Sequence, residues 1–203
     1  MRSFCVALTG GIGAGKTTAS AVFQKFGAFV INVDAVGHDV LECSSNEYQM
    51  IIEVFGESIL NPNKTINRQA LGKVVFNSET QLEKLEAITH PGINARLLNI
   101  LKNQTAEIVI LDMAVLVERP LAYINGNPLY RKVVVVEAPL EERVRRLQER
   151  GLSSQDALAR IRSQVTDDKR REIADLIIFN DGSLTNLESK LQSHWETLLE
   201  WVK

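Results

Sequence analysis

The chain has 203 residues, 45% of them hydrophobic and 24% charged, with a formal net charge of −2. That length fits one domain, or one core carrying insertions, and the composition excludes a wholly disordered chain. The absence of a basic excess argues against a general nucleic-acid binder. No apolar run approaches the ~20 residues that a membrane span requires.

The N-terminus opens Met1-Arg2-Ser3 and continues into Phe4-Cys5-Val6-Ala7-Leu8. That apolar stretch is too short for a signal-peptide core. It reads instead as a first strand. Gly10 to Gly15 form a glycine loop, and Lys16 to Phe26 carry Ala19, Val22, Phe23 and Phe26 at helical spacing. Phe29-Val30-Ile31-Asn32-Val33 reads as a second strand closed by Asp34. A strand, loop, helix and strand in that order predict a parallel sheet. From residue 35 to about 105 helical spacing takes over, in pieces at 35–43, 46–55, 67–76, 78–88 and 91–103, with His90-Pro91 expected to break a helix. Ile108 to Asp112 is a buried-strand run ending in an acid. Lys132 to Glu137 is a strand without alternation, as expected when both faces are covered. Leu140 to Arg171 is helical and rich in arginine, and Leu176 to Phe179 is the last strand. Thr185-x-x-Glu188 is expected to cap a terminal helix whose Leu187, Leu191, Trp195, Leu198 and Val202 face the core.

Gly10-Gly11-Ile12-Gly13-Ala14-Gly15-Lys16-Thr17 fits G-x-x-x-x-G-K-[ST], between a strand and a helix as that motif requires. Glycines let the backbone curl, so that successive N–H groups point at phosphate oxygens. The start of the following helix adds its positive end. Lys16 supplies a mobile charge for the β- and γ-phosphates, and Thr17 offers a hydroxyl to Mg²⁺. Asp112 is placed like a Walker B acid, which helps hold the same Mg²⁺. Asp34 either orients an attacking hydroxyl or caps the next helix. Glu118 points into a substrate pocket or lies on the surface; the sequence leaves both open. Arg143, Arg146 and Arg150 can share one helical face and aim positive charge at phosphates. With two cysteines (Cys5 and Cys43) and three scattered histidines (His38, His90 and His194), no zinc site is expected, and reduced thiols suit the cytoplasm. A regulatory GTPase would need a guanine-reading Asn-Lys-x-Asp, which is absent.

The run from Thr9 to Thr18 closely resembles the start of the dephospho-CoA kinases. So do Val30-Ile31-Asn32-Val33-Asp34 followed by His38, Leu71 to Phe76, Leu85 to Pro91, Ile110-Leu111-Asp112, Ala159-Arg160-Ile161 with Gln164, and Asn180 to Ser183. The resemblance implies an α/β fold: a P-loop kinase core with a parallel sheet flanked by helices, a helical substrate-binding insertion and a helical lid. It implies a core of residues 1–34, 106–138 and 173–203, an insertion at 35–105 and a lid at 139–172. The implied reaction transfers the γ-phosphate of ATP to the ribose 3′-hydroxyl of dephospho-CoA, with Mg²⁺ and without nucleic acid, membrane or obligate protein partner. The resemblance places ATP on Gly11, Ile12, Gly13, Ala14, Gly15, Lys16, Thr17 and Thr18, on Arg146 and Arg150, and on Asn180 and Gly182. It places the acceptor near Asp34, His38, His90, Asp112 and Glu118, with Lys16, Asp34 and Arg146 catalytic. The chain departs from the family pattern at Asn32, where an acid is common, and at Met113 to Val117, where a proline and an aromatic are usual. Another small P-loop kinase, or a non-catalytic ATP-binding regulator, is the alternative.

Overall fold

The computed structural model describes residues 3–203, and Met1 and Arg2 lie outside the described residues. The first elements are β1 (Phe4–Gly10), α1 (Lys16–Lys25), β2 (Phe29–Asn32) and α2 (Val33–Asp39). Next come α3 (Asn46–Phe55), a short 3-10 turn (Glu57–Ile59), α4 (Arg68–Val75), α5 (Glu79–Lys102) and β3 (Ile108–Asp112). A hairpin of β4 (Tyr123–Ile124) and β5 (Asn127–Pro128) precedes β6 (Lys132–Glu137). The chain ends with α6 (Leu140–Glu149), α7 (Ser154–Arg162), α8 (Asp167–Glu172), β7 (Leu176–Phe179) and α9 (Leu184–Val202). The fold divides into two compact units, of which the second is Val33–Lys102.

The first unit holds a five-stranded sheet in the order β2-β3-β1-β6-β7, parallel at every pairing. The central strands β1, β3 and β6 are buried almost end to end, which is why their sequences do not alternate. Phe23 and Val22 of α1, Ile108 and Ile110 of β3, and Leu187, Leu191 and Leu198 of α9 build its core. Trp195 and Val202 pack against that core as the spacing predicts. The second unit is helical. Tyr48, Ile51, Leu71, Val75, Leu82 and Ile88 close its own core.

Three expectations need correction, and two features go beyond what the sequence suggested. The second strand ends at Asn32, so Asp34 lies in the first turn of α2 rather than at a strand end. His90-Pro91 does not break a helix, because α5 runs through it. Proline removes one N–H from the helical ladder and costs ~3 kcal/mol. Leu82, Ile88, Ile93, Leu97 and Leu101 are buried on both sides of it, and each such side chain contributes about 1.5–3 kcal/mol, which outweighs the break. Leu140 to Arg171 is three helices, each with its own start; Ser153 and Thr166 accept from Asp156 and Lys169 to cap the second and third. The last helix is capped by Ser183, which accepts from Asn186 N–H, and not by Thr185. The β4–β5 hairpin turns on Asn125-Gly126, both with positive φ, a two-residue turn that the Asn-Gly pair signals and that the sequence reading passed over.

Candidate active site

β1 delivers the glycine loop to the carboxyl end of the sheet, and β3 delivers Asp112 beside it, with Leu8 opposite Asp112 in register. Crevices at that end of a parallel sheet are where such folds bind ligands. Lys16, the first residue of α1, forms an ion pair with Asp112. Ser20, one turn further along the same helix face, donates to the other Asp112 oxygen at 2.6 Å. Asp112 is 6% exposed, so these two partners take the place of water around its carboxylate oxygens. Thr17 is exposed at the helix start, and its hydroxyl is open to a ligand.

The arginine-rich helices close around the loop from the other side. Arg143 of α6 is 4% exposed and donates to the Ile12 carbonyl at 2.9 Å. Its Nη1 donates to both Asp167 oxygens, at 3.1 and 3.3 Å. Burial pushes the Arg143 pKa down, and the Asp167 carboxylate opposes that shift. Arg146 spends its donors on the Gly13 and Ala14 carbonyls, both at 3.3 Å, and on the Asn180 side chain at 3.2 Å. Asn180 is buried and donates in turn to the Ala14 carbonyl at 2.8 Å. The two side chains thereby fix the outer wall of the loop. Arg150 is exposed and lines a cavity of about 310 Å³ together with Ile12, Lys16, Thr17, Ala114 and Gln164. A second cavity of about 230 Å³ adjoins the loop, lined by Gly13, Thr18, Arg146, Arg150, Asn180 and Gly182. Lys190 beside Asp181 holds that carboxyl below its usual range. A loop of N–H groups, an ammonium, a serviceable hydroxyl and an exposed guanidinium make a site for a polyphosphate.

Glu118 is half-buried rather than a surface acid. Its Oε1 accepts from Arg170 at 3.1 Å and from the Val165 N–H at 3.2 Å. Arg170 is 1% exposed and also bonds Asp167 and the Val165 carbonyl. Glu118 thus ties the segment after β3 to the arginine-rich helices. Asp34, His38 and His90 belong to the helical unit: Asp34 half-buried in α2, His38 exposed on the same helix, and His90 partly buried in α5. The sequence reading missed Ser20, Asp167, Arg170 and the contact of Gln164 with the loop. Ser20 was findable, four residues after Lys16 on the same helical face. Nothing local marks the others.

The family model for dephospho-CoA kinase matches residues 4–186. A dephospho-CoA kinase of Corynebacterium glutamicum is 40% identical over 189 residues, covering 91% of this chain and 92% of that protein. Among solved structures, TT1252 from Thermus thermophilus superposes with a TM-score of 0.82 at 32% identity, covering 98% of this chain and 99% of that one. The dephospho-CoA kinase from Campylobacter jejuni gives a TM-score of 0.59 at 25% identity over 100% of this chain and 99% of that one. A five-stranded parallel sheet with a lysine-bearing phosphate loop, matched over nearly its whole length by these proteins, means that the chain belongs to the dephospho-CoA kinase family of ATP-using phosphotransferases.

Proposed function

We propose that the residues of this kinase divide the transfer of the ATP γ-phosphate to the ribose 3′-hydroxyl of dephospho-CoA as follows. In the loop from Gly11 to Thr18, the N–H groups that follow Ile12 cradle the β-phosphate, and Lys16 moves from Asp112 to the transferred group. The carrying observation is the Lys16–Asp112 ion pair at the mouth of the glycine loop. It holds a cation and an anion side by side where a phosphate would draw the cation away. Charge grows on the transferred oxygens in such reactions, so a positive group that follows them lowers the barrier.

Thr17 and Asp112 supply a hydroxyl and a carboxylate at the head of α1, a donor set that fits Mg²⁺ completed by phosphate oxygens. Bound there, the ion would neutralise phosphate charge. Arg150 closes on the phosphates, and Arg146 keeps the loop wall in place while the Asn180–Gly182 turn borders the purine. Asp34 orients the acceptor hydroxyl and takes its proton. What supports this is its position two residues after Asn32, which sits opposite Asp112 in the sheet register. The helical unit, with His38 and His90, receives the acceptor, and residues 139–172 form the lid. No helix among the described residues is long and apolar enough to cross a membrane, and a cytoplasmic site of action suits a soluble substrate.

The test is ADP release with Mg-ATP and a set of acceptors: dephospho-CoA, adenosine, AMP, CMP and pantetheine phosphate. Turnover confined to dephospho-CoA supports the reading. Equal or greater turnover with another acceptor replaces the substrate, and ATP binding without turnover on any of them removes the kinase reading.

A further inference from the structure

Ile12 is gripped on both of its backbone polar atoms by side chains from far along the chain. Its N–H donates to Gln164 Oε1 at 2.7 Å, and its carbonyl accepts from Arg143 Nε at 2.9 Å. A backbone N–H can only donate, so the oxygen of the Gln164 amide is the atom that meets it. Ile12 stands between Gly11 and Gly13, whose torsions restrain it little. Its orientation is therefore set from outside the loop. Arg143 is buried and locked by Asp167, which makes it a fixed post. Gln164 follows the end of α7 and lines the cavity that holds Lys16, Thr17 and Arg150.

We propose that Gln164 is a positioning residue for phosphoryl transfer. Its amide oxygen orients the peptide before Ile12, and so presets the N–H groups that follow it for phosphate oxygens before ATP arrives. The proposal rests on ATP binding at this loop. The energetic logic is preorganisation: donors already aimed need not reorient during the reaction. The same bond makes the segment after α7 and the phosphate loop move together, because one cannot shift without releasing the other.

Two variants separate the possibilities. Gln164→Leu keeps the approximate size and loses the acceptor. Gln164→Glu keeps an oxygen for the Ile12 N–H and adds a charge, which about 0.5 M salt screens. Steady-state kinetics with ATP and dephospho-CoA, and thermal melting, are compared with wild type at the same salt. The expected result for Gln164→Leu is a loss of about tenfold in kcat/KM for ATP, or ~1.4 kcal/mol. Its KM for dephospho-CoA stays unchanged and its melting temperature moves by less than about 2 °C. Gln164→Glu recovers most of that loss in salt. The proposal is overturned if Gln164→Leu stays within twofold of wild type, if both substrates suffer equally together with a lower melting temperature, or if Gln164→Glu is no better than Gln164→Leu. Should the leucine variant not fold, amide hydrogen exchange on the wild-type enzyme decides. An Ile12 amide slowed at least tenfold against the free peptide supports the contact, and the free-peptide rate refutes it. Wild-type turnover in the same assay tests the kinase reading separately.

Discussion

Gly15 and Gly27 have nearly the same backbone angle and opposite surroundings, which allows strain to be separated from contact. Their φ values are +106° and +108°. An alanine Cβ at Gly27 would meet nothing within 4 Å, whereas at Gly15 it would stand 2.4 Å from the Asn180 side-chain nitrogen. Holding a non-glycine residue at such an angle costs about 1–3 kcal/mol, and both variants carry that cost. Gly15→Ala must also push Asn180 aside. That breaks its 2.8 Å bond to the Ala14 carbonyl and disturbs the 3.2 Å bond it accepts from Arg146. Each such bond contributes about 0.5–1.5 kcal/mol. Gly15→Ala is therefore expected to cost roughly 2 kcal/mol more than Gly27→Ala. For a chain of this size that difference is about 4–8 °C in melting temperature. Differential scanning calorimetry of both variants measures it. ATP kinetics add a second axis: Gly27→Ala leaves kcat/KM for ATP near wild type, and Gly15→Ala lowers it. Equal melting temperatures would refute the reasoning, because strain alone would then account for both.

Other consequences are equally concrete. Asp112→Asn removes the charge that faces Lys16 and Ser20 in a nearly closed environment; urea unfolding is expected to show a loss of about 3 kcal/mol, and turnover should fall sharply. Asp34→Asn is expected to lower kcat at least about a hundredfold, the contribution of a positioned general base, with ATP affinity measured by calorimetry unchanged within about threefold. Arg170→Met takes the guanidinium from Glu118 and one of two guanidiniums from Asp167, and should lower the melting temperature by about 5–10 °C. In the helical unit, Arg96 donates to Glu47 at 3.1 and 3.0 Å and holds that carboxyl below its usual range. A depressed folded-state pKa adds stability above the unfolded value of about 4.3 and loses it as pH falls through the folded value. Glu47→Gln should therefore lower the urea midpoint at pH 7, with the gap closing as pH falls through the depressed folded value.

What could be read from the sequence was whatever the chain encodes within a few residues. The glycine loop with Lys16 and Thr17, the unbroken β6 run and the core face of α9 depend on local spacing, and the structure places them as their patterns suggest. The misreadings also have local causes. Proline has a strong local preference against helix continuation, but the apolar face of α5 extends on both sides of Pro91 and decides the matter. The boundary at Asp34 moved because Val33, a good strand former, is buried in the first turn of α2 instead. A helix-capping serine two residues before Thr185 competes for the same helix start and wins.

The wiring of the site could not be read in that way. Gln164 and Arg143 reach Ile12 across separations of 152 and 131 residues, and Arg170 reaches Glu118 across 52. No periodicity carries such pairings, and in sequence the arginines look like a solvated, salt-bridged face. In the structure they differ by burial: Arg145 faces solvent with Glu142 and Glu149, whereas Arg143 and Arg170 are 4% and 1% exposed. A buried guanidinium cannot rely on water, so most of its donors find partners in the chain: the Ile12 carbonyl and Asp167 for Arg143, and Glu118, Asp167 and the Val165 carbonyl for Arg170. That requirement turns a charge-rich stretch into the frame of the phosphate loop. It also sets these buried arginines apart from the exposed Arg150, which lines the cavity beside Lys16 and Thr17.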